Sequence, residues 1–427
     1  MSRQPLAVWL YGTRVAEISE DVGDRIALTW TGDAYDRWGG GSRVVSHLLP
    51  LTAPTAPTAS PHPARVTAFV DGLLPEGNAR TNYAIEAGLR PEDTYGLITR
   101  YGRDTAGALV FQPLDEPEPV RVGEYRPIDD AEVARRLLDA HRHSPTRRAG
   151  GRDSSTLAGV QPKITLHRDA QGQWQACLNG APSTWIVKLA QPEDSPAADV
   201  VDTEVLSLDL ASGAGLAAAH AELHAFDRVR AIAVLRYDRT NSPAGIGRVH
   251  QEDLAQALGL NTADPSRKFQ RGNLMPSLRH AARVLQESGS DPDDLLRLTT
   301  LNYLLGNIDA HAKNISFLRR DDGAATLAPA YDIAMHTHHA GEQHRSALDI
   351  NGKIYYADMG IDDLLHEARS WKMPPRRAVR VINETLDRTQ AALDAAEPEN
   401  YPGVSEHAWD VVRRRVASAG RVSAGPS

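Results

Sequence analysis

Leu301-Asn-Tyr-Leu-Leu-Gly-Asn-Ile-Asp-Ala-His-Ala-Lys-Asn-Ile-Ser-Phe-Leu318 is the stretch on which the reading of this chain turns. An apolar stripe, Leu295, Leu298, Leu301 and Leu305, predicts a helix running into it. Asp291 suits the cap of that helix, Pro292 its first position and Asp294 its first turn. A strand, Ile315–Leu318, leaves the stretch, and a turn at Asp321-Asp-Gly323 sends the chain back through a second strand, Thr326–Pro329, to Tyr331-Asp332. Between helix and strand lie Asp309, His311, Lys313 and Asn314. A hairpin returns its end close to its start, so Asp332 is expected beside Asn314. One carboxylate and one amide oxygen suit a magnesium ion, which keeps several of its waters.

The bulk composition sets limits on that reading. A length of 427 residues predicts two or three structural units. With 41% hydrophobic and 24% charged residues, the chain has the composition of a soluble globular protein. A net charge of -8 argues against broad, nonspecific nucleic-acid binding. One cysteine, Cys177, excludes an intramolecular disulfide and a cysteine-based zinc cluster. The N-terminal residues lack a signal-peptide core, and no apolar run reaches about 18 residues, so the expectation is a cytoplasmic protein with no membrane partner.

Before the central stretch, residues 5–30 alternate like short strands, with Leu6, Val8 and Leu10 on one face and Arg25–Trp30 similar. Trp38-Gly-Gly-Gly-Ser42 reads as a flexible loop, because no helix start with Lys-Ser/Thr follows it. Residues 50–65, rich in Pro, Thr and Ala, read as an extended loop or linker. Asn78 suits a helix N-cap, Asp104 reads as turn chemistry, and residues 112–127 as a connector. Asp129–His141 predicts a helix with Val133, Leu137 and Leu138 on one face. Strands follow at Ile164–Leu166, Trp174–Leu178 and Trp185–Leu189, then a helix over Asp202–Leu216. Two more strands, Ala221–Phe226 and Ala231–Tyr237, precede a helix that starts near Gln251. From about Asp362 the chain reads as helical. The units implied are 1–128, 129–240 and a helical 241–416, with 417–427 as a disordered tail.

Asp309 and Asn314 have the spacing of the protein-kinase catalytic loop, in which the Asp takes a hydroxyl proton and the Asn holds a metal ion. Phosphoryl transfer needs phosphates held, charge neutralised and the acceptor positioned. Asp309 could orient the acceptor, while Asn314 and Asp332 hold the ion. Lys188, alone in an apolar strand, could meet phosphate and pair with Glu204, although a solvent-side lysine is the plain alternative. Backbone amides of 156–161, with Gly159 among them, could approach phosphate closely. Lys313 reads either as a phosphate contact or as a solvated side chain, and His311 as a side chain that positions the loop through a hydrogen bond. His336, His338, His339 and His344 lack helix-spaced ligand pairs, which argues against a metal there.

These motifs together resemble the HipA-type serine/threonine kinases, the toxins of toxin–antitoxin modules. The matching stretches are Leu157-Ala-Gly-Val-Gln-Pro-Lys163, Trp185-Ile-Val-Lys188, Ala231–Arg239, His250–Gly259, Gly306-Asn-Ile-Asp-Ala-His-Ala-Lys-Asn314 and Leu327-Ala-Pro-Ala-Tyr-Asp332. The resemblance spans nearly the whole chain. It implies an α+β, two-lobed kinase-like fold with an extra N-terminal β-rich subdomain and a mainly helical C-terminal lobe. By position, Asp309 and Lys313 match the catalytic pair. ATP would meet Lys188, Ala158, Gly159, Val160, Gln161 and His311, with adenine at a hinge of Val234, Leu235 and Tyr237. Asn314 and Asp332 would hold Mg2+. The resemblance further implies phosphorylation of a translation component such as an aminoacyl-tRNA synthetase, and growth arrest. It also implies a helix-turn-helix antitoxin through which alone DNA is reached. Autophosphorylation would fall on Ser154, Ser155 or Thr156; the last stands where serine is expected. Two other readings are a catalytically weak, kinase-shaped module that binds a repressor, and an enzyme of this fold that transfers AMP to protein.

Overall fold

The computed structural model describes residues 3–21, 23–54, 60–119, 123–141, 163–272, 275–340 and 344–423. The segment 142–162, which holds Ser154, Ser155, Thr156, Ala158, Gly159, Val160 and Gln161, lies outside the described residues. So do residues 55–59 of the Pro/Thr/Ala tract.

The chain begins with an antiparallel sheet. Strands β1 (Leu6–Leu10), β2 (Thr13–Asp21) and β3 (Arg25–Trp30) lead into α1 (Gly32–Trp38), α2 (Pro63–Asp71), α3 (Gly77–Ala87) and α4 (Thr94–Tyr101), then β4 (Val110–Pro113). The strand order is β3-β2-β1-β4. Leu6, Val8, Leu10, Ile18 and Ile26 pack against Val66, Phe69 and Ile98 of the helices. Two expectations fail here. The Pro/Thr/Ala tract ends inside α2, because Pro63 fixes its own φ at a first helical position, where a missing N–H costs nothing. Asn78 lies within α3, whose N-cap residue is Glu76; that side chain makes no capping bond.

The second unit is a six-stranded sheet of β5 (Glu124–Pro127), β6 (Lys163–Arg168), β7 (Trp174–Leu178), β8 (Trp185–Leu189), β9 (Ala221–Phe226) and β10 (Val229–Leu235). Their order is β5-β7-β6-β8-β10-β9. The expected connector therefore contributes an edge strand, Glu124–Pro127, which suits proline because an edge leaves the missing N–H unused. Side chains alternate with period two. Ile164, Leu166, Trp185, Val187, Ala231 and Ala233 cover α5 (Asp130–His141) through Val133 and Leu137. The opposite face carries Lys188, Ile232 and Val234 toward α6 (Val200–Gly213).

The helical unit follows a small hairpin, β11 (Arg239–Ser242) and β12 (Gly245–Arg248). Next come β13 (His250–Asp253), α7 (Leu254–Leu258), α8 (Leu278–Glu287) and α9 (Asp293–Leu305). The hairpin β14 (Ser316–Arg319) and β15 (Ala325–Leu327) precedes β16 (Arg345–Ile350) and β17 (Lys353–Tyr355). Helices α10 (Ile361–Ser370), α11 (Pro375–Ala395) and α12 (Glu406–Ser418) close the lobe. Helix α9 starts one residue later than expected, with Pro292 as its cap residue, and Asp291 pairs with Arg377 instead. The helix expected near Gln251 is preceded by a strand: His250–Asp253 adds to β14 as a third strand of the exit hairpin. The described part of the expected tail 417–427 also differs from a free tail, while residues 424–427 lie outside the described residues. Val422 is buried, and its amide donates to Asn383 Oδ1 at 3.0 Å.

Candidate active site

The central stretch is held from both ends. Helix α9 buries Leu295, Leu301, Leu304 and Leu305 and stops at Gly306, whose φ of +69° is the left-handed cap that glycine adopts without strain. A Cβ there would meet Thr337 Oγ1 at 2.1 Å, so glycine is required twice over. Asn307 Oδ1 then accepts from the Asp309 amide at 3.1 Å. Asn314 Nδ2 donates to the Asp309 carbonyl at 3.0 Å, closing the loop on itself. That commits the amide nitrogen and makes the amide oxygen the donor Asn314 can offer a cation. Tyr331, beside Asp332, donates to the Lys313 carbonyl at 2.6 Å and shares a 2.6 Å bond with Ser316. The exit hairpin thus returns to the loop, and Asp309, Asn314 and Asp332 line one cavity of about 280 Å³.

Lys188 crosses this cavity. Its ammonium donates to both Glu204 oxygens, at 2.8 and 3.1 Å, and to Asp332 Oδ1 at 2.5 Å. Lys163 sits directly opposite on β6. Like charges facing across a strand pair repel, so the two lysines mark a position built to meet anions. Burial pushes the Lys163 ammonium down to about 8, and the Lys188 charge adds to the effect. Burial also opposes the charge on Lys188, but Asp332 and Glu204 outweigh it and hold the ammonium above its usual range. Asp332 has a φ of +55°, uncommon outside glycine and found at constrained functional positions. Burial would raise its carboxyl, yet Lys188 and Lys163 hold it well below the ordinary value.

Asp309 opens into this cavity and into a neighbouring groove of about 440 Å³ lined by Arg271 and Arg345. Desolvation by the cleft walls raises its carboxyl to about 6, Asp332 reinforcing the shift and Lys268 opposing it. His311 is buried, and its Nδ1 has no hydrogen-bond partner among the described residues. No His311 side-chain hydrogen bond of the expected kind is seen at Nδ1; the loop is held by the Asn307 and Asn314 side chains and by His311 N, which donates to Asp309 O at 2.8 Å. Burial pushes the imidazole down to about 4, so the ring is neutral.

Neither expectation for Lys313 matches its position. It is neither solvated nor free for a phosphate: its ammonium donates to Gly72 O at 3.0 Å and pairs with Asp253 at 3.1 Å and Glu76 at 3.4 Å. Glu76 also binds Lys268 at 3.3 Å. Sequence reasoning missed Glu76 and Lys268. The only signal for Glu76 was its place in Leu-Pro-Glu-Gly-Asn beside a helix start. At the hinge, Val234 and Tyr237 line the cavity with the exposed Leu235. The Leu235 and Arg236 amides are spent on the His220 and Thr184 carbonyls, at 2.8 and 2.9 Å, so a base here would draw on other backbone groups. The Tyr237 hydroxyl donates to Gln251 Oε1. Asp104, expected in a turn, is fully buried and accepts from Arg239 at 2.8 Å and Ser183 Oγ at 2.6 Å.

A small antiparallel sheet over a helical lobe, with a strand lysine, a helix glutamate and an Asp/Asn loop around one cleft, defines a protein-kinase-like architecture. The HipA N-terminal domain family matches residues 6–112 and the HipA-like C-terminal domain family residues 155–393. The chain belongs to the HipA family of kinase toxins. It is 30% identical over 409 residues to the Sinorhizobium fredii protein Y4mE, covering 92% of both chains. It is also 30% identical over 334 residues to the serine/threonine-protein kinase toxin HipA of Shewanella oneidensis, covering 75% of this chain and 72% of that one. The HipA chain in the solved Shewanella oneidensis complex of HipA, HipB and operator DNA superposes with a TM-score of 0.77 at 24% identity, over 96% of both chains.

Proposed function

We propose that this chain is an ATP- and magnesium-dependent serine/threonine protein kinase, the toxin of a toxin–antitoxin pair. One observation carries the reading: the chain of contacts Glu204–Lys188–Asp332, facing Asp309 in a single cavity. Lys188 and Lys163 give the cavity two cations on the sheet side, where nucleotide phosphates would lie. The donor set on the other side, an Asp332 carboxylate and the Asn314 amide oxygen, is hard and suits magnesium. Those two residues would hold the ion, which when bound neutralises charge on the phosphates. Asp309, ionised above about pH 6, orients the acceptor hydroxyl and takes its proton. Lys313 keeps the loop in place through Glu76 and Asp253 rather than touching phosphate. From the sequence, phosphate contact would fall to the backbone of 156–161 and self-inactivation to Ser154, Ser155 or Thr156, all outside the described residues.

The relative solved with HipB and operator DNA supports a HipB-like helix-turn-helix partner, with DNA reached through that partner. The target class favoured by the family resemblance is an aminoacyl-tRNA synthetase, met in the cytoplasm. The test compares the wild-type chain with Asp309→Asn, using ATP labelled at the gamma or the alpha phosphate. Gamma label should enter protein with the wild type alone, and growth arrest should follow the same split. Equal labelling by both chains would overturn the role of Asp309, and alpha label in protein would indicate AMP transfer.

A further inference from the structure

Outside the cleft, three distant segments meet on one carboxylate. Asp199 is the residue before α6, but its side chain makes no bond to that helix. It accepts from His338 Nε2 at 2.9 Å, from His339 Nε2 at 2.7 Å and from Ser405 Oγ at 2.8 Å. The His338 side chain is 4% exposed, Asp199 12% and His339 14%. The two imidazoles lie 3.9 Å apart between centroids, and one nitrogen of each ring and an Asp199 oxygen all fall within 4.8 Å of one another.

Two imidazoles that converge on one buried carboxylate can be joined by protons or by a metal ion. As hydrogen-bond donors both Nε2 atoms carry protons, and each has its shorter bond to a different Asp199 oxygen; with those protons released, the same three atoms are free to act as ligands. Two imidazole nitrogens and one carboxylate oxygen are a donor set typical of zinc and related divalent ions, with a fourth position left for water. A tetrahedral ion with bonds of about 2.0–2.1 Å sets its ligands roughly 3.3 Å apart, so the two nitrogen–carboxylate distances, 2.9 and 2.7 Å, need to open by only a few tenths of an ångström. Ser405 on Asp199 is the kind of outer partner that orients a metal-bound carboxylate.

We propose that Asp199, His338 and His339 form a site for a divalent transition ion of the zinc class. The ion ties the segment following Asp332 to the start of α6 and, through Ser405, to the start of α12. Helix α6 carries Glu204, so the same ion braces the element that holds Lys188. The site lies apart from the cleft and does not depend on the activity proposed for it.

The test uses the full chain, stripped with a chelator and then titrated with zinc alone against a chromophoric competitor. Wild type should take up about one zinc per chain and melt at a higher temperature for it. Asp199→Asn keeps the carboxylate's shape, and it should fold normally and bind more than about 100-fold more weakly, since outer-partner changes alone cost 10–100-fold. His338→Ala with His339→Ala should lose the ion as well. The control is His220→Ala with His224→Ala, which removes two imidazoles bound to the more open Glu222 and should leave uptake unchanged. Absence of stoichiometric zinc in the wild type, or undiminished binding by Asp199→Asn, would overturn the proposal. Loss of uptake in the His220/His224 control would move the site to Glu222 and overturn it equally.

Discussion

Replacing Lys188 with methionine separates what the cleft lysine does for folding from what it does for chemistry. Its ammonium lies 2.8 Å from Glu204 and 2.5 Å from Asp332, and both Lys188 and Glu204 are buried. At an effective dielectric of about 20, one such pair at 2.8 Å attracts by about 6 kcal/mol, and desolvation offsets several kcal/mol of it for each ion. Removing one partner leaves a buried, uncompensated carboxylate and costs about 3–5 kcal/mol. Lys163, directly opposite, can partly take over the pairing, so the lower end of that range is expected. Adding Glu204→Leu removes the stranded charge. Such a double variant should recover most of the loss, because apolar replacement of a buried pair is often neutral or stabilising. Equilibrium unfolding in urea, read from the fluorescence of Trp185 and Trp174 in the same sheet, gives the three stabilities. Both variants should lack phosphoryl transfer. Lys188→Met unfolding with the wild type, or a double variant no more stable than the single, would refute the reasoning.

Three further outcomes are expected. His250 is buried with Nε2 on the Val45 carbonyl at 2.8 Å and Nδ1 facing the Ala108 amide at 3.4 Å. Burial is the main reason its ring is pushed down to about 4; Glu252 and Asp238 oppose the shift and Arg319 reinforces it. Above pH 6.5 both folded and unfolded rings are neutral. As pH falls toward 4 only the unfolded ring takes a proton, so stability drops by up to about 3 kcal/mol and then levels off. Melting curves across that window should flatten in His250→Gln. Lys313→Met should destabilise by about 3–5 kcal/mol, because buried Asp253 then loses its ion-pair partner and Glu76 keeps Lys268; a midpoint in urea equal to wild type would contradict the positioning role. Asp104→Ala strips the buried Arg236 and Arg239 of one carboxylate and leaves them Asp238, so limited proteolysis between residues 112 and 127 should speed up several-fold.

Local patterns carried the elements and the centre of the site. Lys188 stood out because a charge interrupts Trp185-Ile-Val-Leu189, and Glu204 because it follows on the next helix. The hairpin from Asn314 to Asp332 was readable because a turn of Asp-Asp-Gly between apolar runs has a local cause. What stayed hidden was paired at long range. Asp104 meets Arg239 135 residues away, Lys268 meets Glu76 192 away, and His338 meets Asp199 139 away. Nothing in the periodicity around Asp104 separates a turn carboxylate from a buried one. The four histidines after Asp332 were judged against spacing within their own loop, while the carboxylate that joins two of them comes from the start of α6. A helix read as starting near Gln251 because Leu254, Ala257 and Leu258 follow at helical spacing. The strand His250–Asp253 forms only because β14 offers an open edge to pair with.

The hidden contacts share a direction, and it changes how the N-terminal unit is understood. Glu76 and the Gly72 carbonyl reach from that unit to Lys313 inside the central loop. Asp104 reaches to Arg236 in the hinge and Arg239 just past it, and the Val45 carbonyl to His250 on the strand that backs the loop. Burial would raise the Glu76 carboxyl, but Lys313 and Lys268 hold it below its usual range, so it is ionised where it meets them. Each of these partners is buried, and a buried cation without its counter-charge costs more than an exposed one gains. The kinase-like lobes therefore carry several cations that gain part of their counter-charge from residues 6–112 when that unit is docked. That unit is part of the electrostatic structure of the cleft rather than an appendage to it. Any partner that pulls it away would disturb Lys313, and with it the loop that presents Asp309.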